Sequence, residues 1–198
     1  MEDLVRRVKD GDKAAFEELV TLHQRGVYTL ALRHTGNHDD ALDISQEAFF
    51  RAYKGLPHFN GESAFSTWLY RLTVNVCIDH LRKSKRRRVS LFSEMEDGVM
   101  EIPDTSRLPE DAAEFEDLKT ALSDALGILP EKYRLVFILR AVNGLSYEEI
   151  AEVLDIEEGT VKSRLSRARD KLRTILTKQG NIGGDNTSKG QTNRRKGD

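Results

Sequence analysis

The chain has 198 residues, with 31 Lys and Arg against 33 Asp and Glu, a formal net charge of -2 and 38% hydrophobic residues. That length accommodates one large domain or two small ones, and the apolar content excludes a chain that is disordered throughout. A single cysteine, Cys77, excludes an internal disulfide, the longest apolar run, Leu135 to Leu139, is far too short to span a bilayer, and MEDLVRRVKDGD lacks the apolar core of a secretory signal, so the expected setting is the reducing cytoplasm with no membrane insertion.

Apolar residues recur at helical spacing and strand alternation is nearly absent, which predicts an all-α fold. Asp12 is placed to cap a helix reaching about His34, with Phe16, Leu19, Val20, Val27, Leu30 and Ala31 on its apolar side. Gly36 suits its end and Asn37 the cap of the next helix. That helix carries Ala41, Leu42, Ile44, Ala48, Phe49 and Ala52 inward and stops near Gly55, Leu56 and Pro57. After the loop HFNGES, a third helix runs from about Ala64 into RKSKRRR, with Phe65, Leu69, Leu72 and Val76 inside. Trp68 is assigned to the core, where Trp is commonly found.

Charge is segregated along the chain. Residues 71–90 hold seven Lys and Arg against one Asp, whereas 89–127 hold eleven Asp and Glu against Arg107 and Lys119. Between Val89 and Asp111 the helical pattern fades, and Gly98, Pro103 and Pro109 punctuate an acidic stretch read as a linker. Helical signals resume at Ala112 to Leu126. Pro130 suits the start of EKYRLVFILRAVN and Gly144 its end. Beyond Lys178 the composition is that of a flexible tail. The expected organisation is two small helical domains, 1–88 and 112–178, joined by a flexible acidic linker, 89–111, and followed by a disordered polar tail, 179–198.

LSYEEIAEVLDIEEGTVKSRLSRARDKLR, from Leu145 to Arg173, reverses its charge in the middle: six carboxylates and no base to Gly159, then six bases and one carboxylate. Ser146 and Glu149 match the S-x-x-E capping box, so a helix should open at Tyr147, with Tyr147, Ile150, Ala151 and Leu154 sharing a side. Asp155 stands where the chain must turn, and Asp tolerates the left-handed conformation. A second helix should start near Glu157 or Glu158, with Val161, Leu165, Ala168, Leu172 and Ile175 as its buried stripe. Lys162, Ser163, Arg164, Ser166, Arg167 and Lys171 are left facing outward. A short helix, a tight turn and a basic helix form the helix-turn-helix that presents a recognition helix to a DNA major groove. The charge reversal then separates a supporting helix from one that touches phosphate. A merely solvated basic face is the alternative.

This stretch closely resembles the promoter-binding domain of bacterial sigma factors of the extracytoplasmic-function group. DDALDISQEAFFRAY resembles their core-polymerase-binding helix, and FNGESAFSTWLYRLTVNVCIDHLRKSKRR resembles their -10 element segment. The resemblance covers roughly Ala14 to Arg88 and Pro109 to Arg173. Asp155 departs from the Gly usual in the family, and Glu157 and Glu158 replace a Pro or a small residue. The implied function is that of an alternative sigma factor, which binds core RNA polymerase and directs promoter recognition, DNA melting and initiation.

By that resemblance Lys162, Ser163, Ser166 and Arg167 meet base edges of the -35 element, while Thr160, Arg164 and Lys171 meet phosphates. Arg164 could instead pair with Glu158. Phe59, Asn60, Glu62 and Ser63 correspond to the loop that captures an unstacked base of the -10 element. Arg71, Asn75, Asp79 and Arg82 share the helix face beyond it, with Lys83, Lys85, Arg86, Arg87 and Arg88 drawing in the backbone. For Asn75 and Asp79 an ordinary solvated face is the alternative. Asp39, Asp40, Asp43, Gln46 and Glu47 correspond to the surface that docks on the clamp helices of the polymerase's largest subunit. The resemblance also implies both duplex and single-stranded promoter DNA as ligands, an anti-sigma factor as a further partner, and no cofactor.

Other readings compete. No Ser-His-Asp grouping, Walker loop or H-E-x-x-H motif points to an enzyme. Cys77 and His80 could make half a metal site, but spacing suggests no further ligands. A stand-alone helix-turn-helix regulator should bind its duplex site without polymerase. An RNA-binding module built on RKSKRRR should prefer RNA.

Overall fold

The computed structural model describes residues 1–92 and 120–178. Among these residues every regular element is helical: α1 (Glu2–Lys9), α2 (Lys13–Thr35), α3 (His38–Gly55), a 3-10 turn (Leu56–His58), α4 (Phe65–Phe92), α5 (described over 120–128), α6 (Glu131–Ala141), α7 (Tyr147–Leu154) and α8 (Glu158–Lys178). Helix α4 continues past Val89, where the linker was expected to begin. The remainder of that linker, the expected helix start at Ala112 and the tail lie outside the described residues.

The helix ends follow local chemistry. Asp12 accepts the Ala15 N–H at 3.1 Å and Asn37 the Asp40 N–H at 2.9 Å, each satisfying an N–H that has no partner within its helix. Gly36 closes α2 at a φ of 71°, where a side chain would be strained. Helix α1 has no such sequence signal. It offers only Leu4, Val5 and Val8, with no side-chain cap, and is held from outside, with Val5 buried and Arg7 bonded to Asp12 at 2.7 Å.

Two glycines allow close crossings. A Cβ at Gly26 would collide with the Tyr70 hydroxyl, and one at Gly55 would press on Trp68 at 3.2 Å. Gly26 thus lets α4 lie close over α2.

Among the described residues, apolar side chains gather in three clusters. The first belongs to α1–α4 and centres on Leu19, Val27, Ile44, Leu56, Phe65 and Leu69, with Trp68 packed against it as expected. The third belongs to α5, α6 and α8, through Leu126, Leu129, Tyr133, Ala168 and Leu172. The second joins the two halves: Leu30 of α2 and Val74 of α4 share a core with Leu135, Leu139, Ile150, Val153 and Leu165. Two helical groups are present as anticipated, but they do not have wholly separate interiors.

Three apolar assignments change. Leu42, expected inside, is 41% exposed. Val153, not assigned inward, is buried on α7 with Ile150, whereas Tyr147, Ala151 and Leu154 are only partly covered. The α8 stripe ends on Leu176 rather than Ile175, because i to i+4 from Leu172 points at α5.

Candidate nucleic-acid interface

The α7–α8 hairpin is built as its sequence predicts. Ser146 accepts the Glu149 N–H at 3.1 Å, and the Glu149 carboxylate accepts the Ser146 N–H at 2.7 Å, closing the capping box. Asp155 turns the chain at φ 53° and ψ 55°, the only non-glycine residue with positive φ among the described residues. Its N–H still bonds back to Glu152. Asp in place of Gly is therefore compatible with this turn.

On α8, Val161, Leu165, Ala168 and Leu172 are buried and Lys162, Ser163, Ser166, Arg167 and Lys171 are exposed. Thr160 and Arg164 are half-buried. The Ser163 hydroxyl donates to the Thr160 carbonyl at 3.0 Å. Glu158 pairs with Lys162, one turn on, at 2.5 Å, rather than with Arg164. Lys162 thus lies against an acid and 5.8 Å from the centre of the Tyr147 ring. Arg167 stands beside Tyr133, holding its phenol below the ordinary pKa, with the Lys171 ammonium 6.0 Å from the same ring. Tyr133 and Tyr147 are partners that the sequence reading did not include. They flank the exposed face of α8 from opposite sides, Tyr147 beside Lys162 and Tyr133 beside Arg167 and Lys171, where aromatic bodies steady long cationic stems.

The second site lies on α4 and the loop before it. Arg71, Asn75 and Arg82 are exposed and Asp79 is half-exposed, so the four do share an open face. Lys83 is also exposed; the side chains of Lys85, Arg86, Arg87 and Arg88 lie outside the described residues. In the loop, the Asn60 side chain accepts the Glu62 N–H at 3.3 Å, and Gly61 takes a φ of 79°. Phe59 differs from expectation. Its ring is 8% exposed and packs on Trp68 at 5.0 Å and Phe65 at 6.1 Å. It forms a floor that anchors the loop rather than an open stacking face. Above it lies a cleft of about 620 Å³ lined by Val5, Lys9, Phe59, Asn60, Ser63 and Phe65. Helix α1, invisible to sequence reasoning, supplies one wall.

The acidic surface of α3 divides into two rows. Asp39, Asp43 and Gln46 are exposed. Asp40 and Glu47 are only partly exposed: Asp40 lies 3.4 Å from His80 of α4, and Glu47 accepts from Arg51, one turn on in α3, at 2.7 Å. Arg51 also reaches Asp79 at 3.4 Å, so the polar face of α4 is tied to α3 through one guanidinium. Beside the exposed row, Val20, Tyr28, Leu42, Gln46 and Phe49 line an apolar groove of about 530 Å³ between α2 and α3. Phe50 and Tyr53 stand exposed farther along α3. The excess of large apolar residues on α3 over what one buried stripe can hold was the signal available for this groove.

Cys77 is buried, and burial pushes its thiol pKa up to about 12. Among the described residues no three His, Cys, Asp or Glu side chains gather as a metal site would require, and no helix is long and apolar enough to cross a membrane.

Comparison with known proteins matches residues 19–87 to Sigma-70 region 2 and residues 119–172 to Sigma-70 region 4. The ECF RNA polymerase sigma factor SigW of Bacillus subtilis is 38% identical over 87% of this chain and 94% of its own length. The ECF RNA polymerase sigma-E factor of Escherichia coli K12 is 39% identical over 85% of this chain and 90% of its own. Among solved structures, CnrH in complex with the cytosolic domain of CnrY superposes with a TM-score of 0.67 at 27% identity, covering 88% of this chain and 96% of that one. The sigma factor RpoE in complex with the anti-sigma factor NepR, from Bartonella quintana, gives 0.63 at 26%, covering 82% and 96%.

Proposed function

The chain belongs to the extracytoplasmic-function sigma factors of the sigma-70 family, and from that premise we propose how its residues divide the work of initiation. A sigma factor binds core RNA polymerase and directs it to promoters; it supplies recognition rather than catalysis. A stand-alone regulator is disfavoured because the N-terminal half matches region 2 over residues 19–87.

The exposed half of α8 enters the major groove of the -35 element. Ser163, Ser166 and Arg167 face base edges, while Thr160, Arg164 and Lys171 hold phosphates. Lys162 reaches DNA by leaving Glu158, an exchange of one exposed ion pair for another and therefore inexpensive. The loop from Asn60 to Ser63, its cleft, and the row Arg71, Asn75, Asp79 and Arg82 take the -10 element as single-stranded DNA. Opening a duplex loses stacking, and a recess with polar rims and an apolar floor offsets that loss base by base. Asp39, Asp43 and Gln46 steer α3 onto a basic surface of the polymerase clamp, and the groove holding Leu42 and Phe49 adds apolar contact. Asp40 and Glu47 act from behind, by bracing α3 on α4. An anti-sigma partner fits this reading, since RpoE of Bartonella quintana is held by one.

The observation that carries the proposal is the pairing on one chain of an open polar row on α4 with an open basic face on α8. The test is run-off transcription with purified core polymerase and a library of promoter fragments. New start sites are expected only when this protein is added, and their absence would overturn the proposal. Asn75→Ala should reduce initiation on duplex templates about tenfold or more, recover on pre-melted ones and leave polymerase binding unchanged. Equal activity of variant and wild type on both templates would remove Asn75 from the site.

A further inference from the structure

Helix α1 walls the cleft beside the -10 loop, and one of its side chains crosses to the loop itself. Val5 and Lys9 stand one turn apart on the same face of α1. Val5 is buried in the core of the N-terminal half. Lys9 donates from its ammonium to the Phe59 carbonyl at 2.5 Å, and its Nζ lies 6.0 Å from the centre of the Phe59 ring. Arg6, the other cation on this wall, pairs with Asp3 of its own helix at 2.5 Å. The partner of Arg6 is 3 positions away, whereas that of Lys9 is 50. Only the second bond ties α1 to the loop.

The loop has little else to hold its shape. Phe59 leaves the 3-10 turn with ψ at 113°, its N–H bonded to the Leu56 carbonyl at 3.1 Å. Gly61 takes a φ of 79°, and the Glu62 N–H reaches the Asn60 side chain at a long 3.3 Å. A glycine in a left-handed turn and one long local bond leave a backbone free to shift. Lys9 fixes the carbonyl immediately before Asn60. A charge-assisted bond of this kind is roughly twice as strong as one between neutral groups. The helix that carries it is itself seated, since Val5 is buried and Arg7 bonds Asp12, the cap of α2, at 2.7 Å. Phe59 is thus held twice: its ring by Trp68 and Phe65, its carbonyl by Lys9.

We propose that Lys9 is a positioning residue for base selection: it sets the backbone from Asn60 to Ser63 so that their polar groups meet the extruded base of the -10 element, and it does so without touching DNA. The inference rests on the reading of that loop as the one that captures the base. Choice among bases requires hydrogen-bonding groups placed to a fraction of an ångström, whereas phosphate contacts and an apolar floor serve any base. Release of the Phe59 carbonyl should therefore blur the choice of base more than it weakens attachment.

The test uses holoenzyme assembled from the full chain and core polymerase, with -10 single strands carrying each of the four bases at each position in turn. Lys9→Met keeps the apolar stem beside Phe59 and removes the donor. At one position it should lower the affinity ratio between the preferred base and the others about fivefold, with -35 duplex binding, polymerase binding and melting temperature unchanged. Lys9→Arg restores a donor and should recover the discrimination. In the free chain, solvent exchange of the Glu62 amide should quicken about tenfold in Lys9→Met and stay slow in Lys9→Arg. Arg7→Gln is the control: it loosens α1 from Asp12 without touching the loop, and should discriminate as wild type does. Discrimination by Lys9→Met equal to that of wild type would overturn the proposal. So would an equal loss for all four bases, which would make Lys9 a phosphate contact, or the same loss in Arg7→Gln, which would leave only the seating of α1 to matter. A wild type with no base preference at any -10 position removes instead the functional reading of the loop.

Discussion

Helices α4 and α8 are both proposed to face DNA, but they are supported in opposite ways. The turn and the leading end of the α8 recognition face are organised by their immediate neighbours in sequence, with Tyr133 of α6 added beside Arg167 and Lys171. The capping box at Ser146, the left-handed Asp155 and the Lys162–Glu158 pair all lie within the hairpin. The face of α4 is organised from a distance, by Arg51 of α3 on Asp79, by Phe59 under the loop and by α1 along the cleft. The difference suits the ligands. Duplex DNA is a regular surface that a preformed helix can dock on, whereas an extruded base needs a recess, and a recess requires walls from several elements.

The contrast can be broken most severely where the two supports meet. Leu139→Ala removes a fully buried side chain from the shared cluster and should cost about 2–5 kcal/mol. Urea unfolding should show both halves losing stability together; loss confined to the α5–α8 half would mean that the halves are energetically separate.

Acidification should act at nearly the same scale. His34 is completely buried, and burial, helped by the nearby Arg134 and His80, lowers its pKa from 6.5 to about 4. The folded state therefore resists a proton that the unfolded chain accepts. Stability is full above pH 6.5 and falls as pH drops toward 4, by about 3 kcal/mol in all. His34→Leu should flatten that slope in a pH series of melting curves, and an unchanged slope would assign the acid sensitivity elsewhere.

Within the hairpin the expected effects are smaller and local. Arg167→Ala should cost about 1–3 kcal/mol of discrimination at one base position of the -35 element, measured by holoenzyme binding to base-substituted duplexes. A uniform loss across all sequences would make Arg167 a phosphate contact. Ser146→Ala should cost about 1 kcal/mol, seen in thermal melts. It should weaken -35 duplex binding while sparing capture of single-stranded -10 DNA by holoenzyme. Loss of both would show that α4 depends on the hairpin more than the contrast allows.

Much of the molecule was legible before its structure. The caps at Asp12, Asn37 and Ser146, the stops at Gly36 and Asp155, and the outward set on α8 depend on residues within about one helical turn, and sequence order carries that information directly. Apart from the missed α1 and the early end given to α4, the misplaced assignments concern which face meets which neighbour. Leu42 follows the apolar period of α3 and is nonetheless exposed, because the stripe is wider than the surface that α2 and α4 offer it. Phe59 sits in a polar loop and is nonetheless buried, because Trp68 and Phe65 lie beneath.

The amino-acid order by itself determined the helices α2, α3, α6, α7 and α8, most of their ends and the charged face of the recognition hairpin, since hydrogen bonds and dipoles act between residues a few positions apart. Tertiary structure alone decided that α1 walls a cleft, that the carboxylates of α3 split into a docking row and a bracing row, and that the two halves meet through Arg134 on the His34 carbonyl and Asn143 on that of Gly26. Those outcomes depend on contacts between residues as many as 117 positions apart, and burial at such distances is set by which surfaces fit together in space.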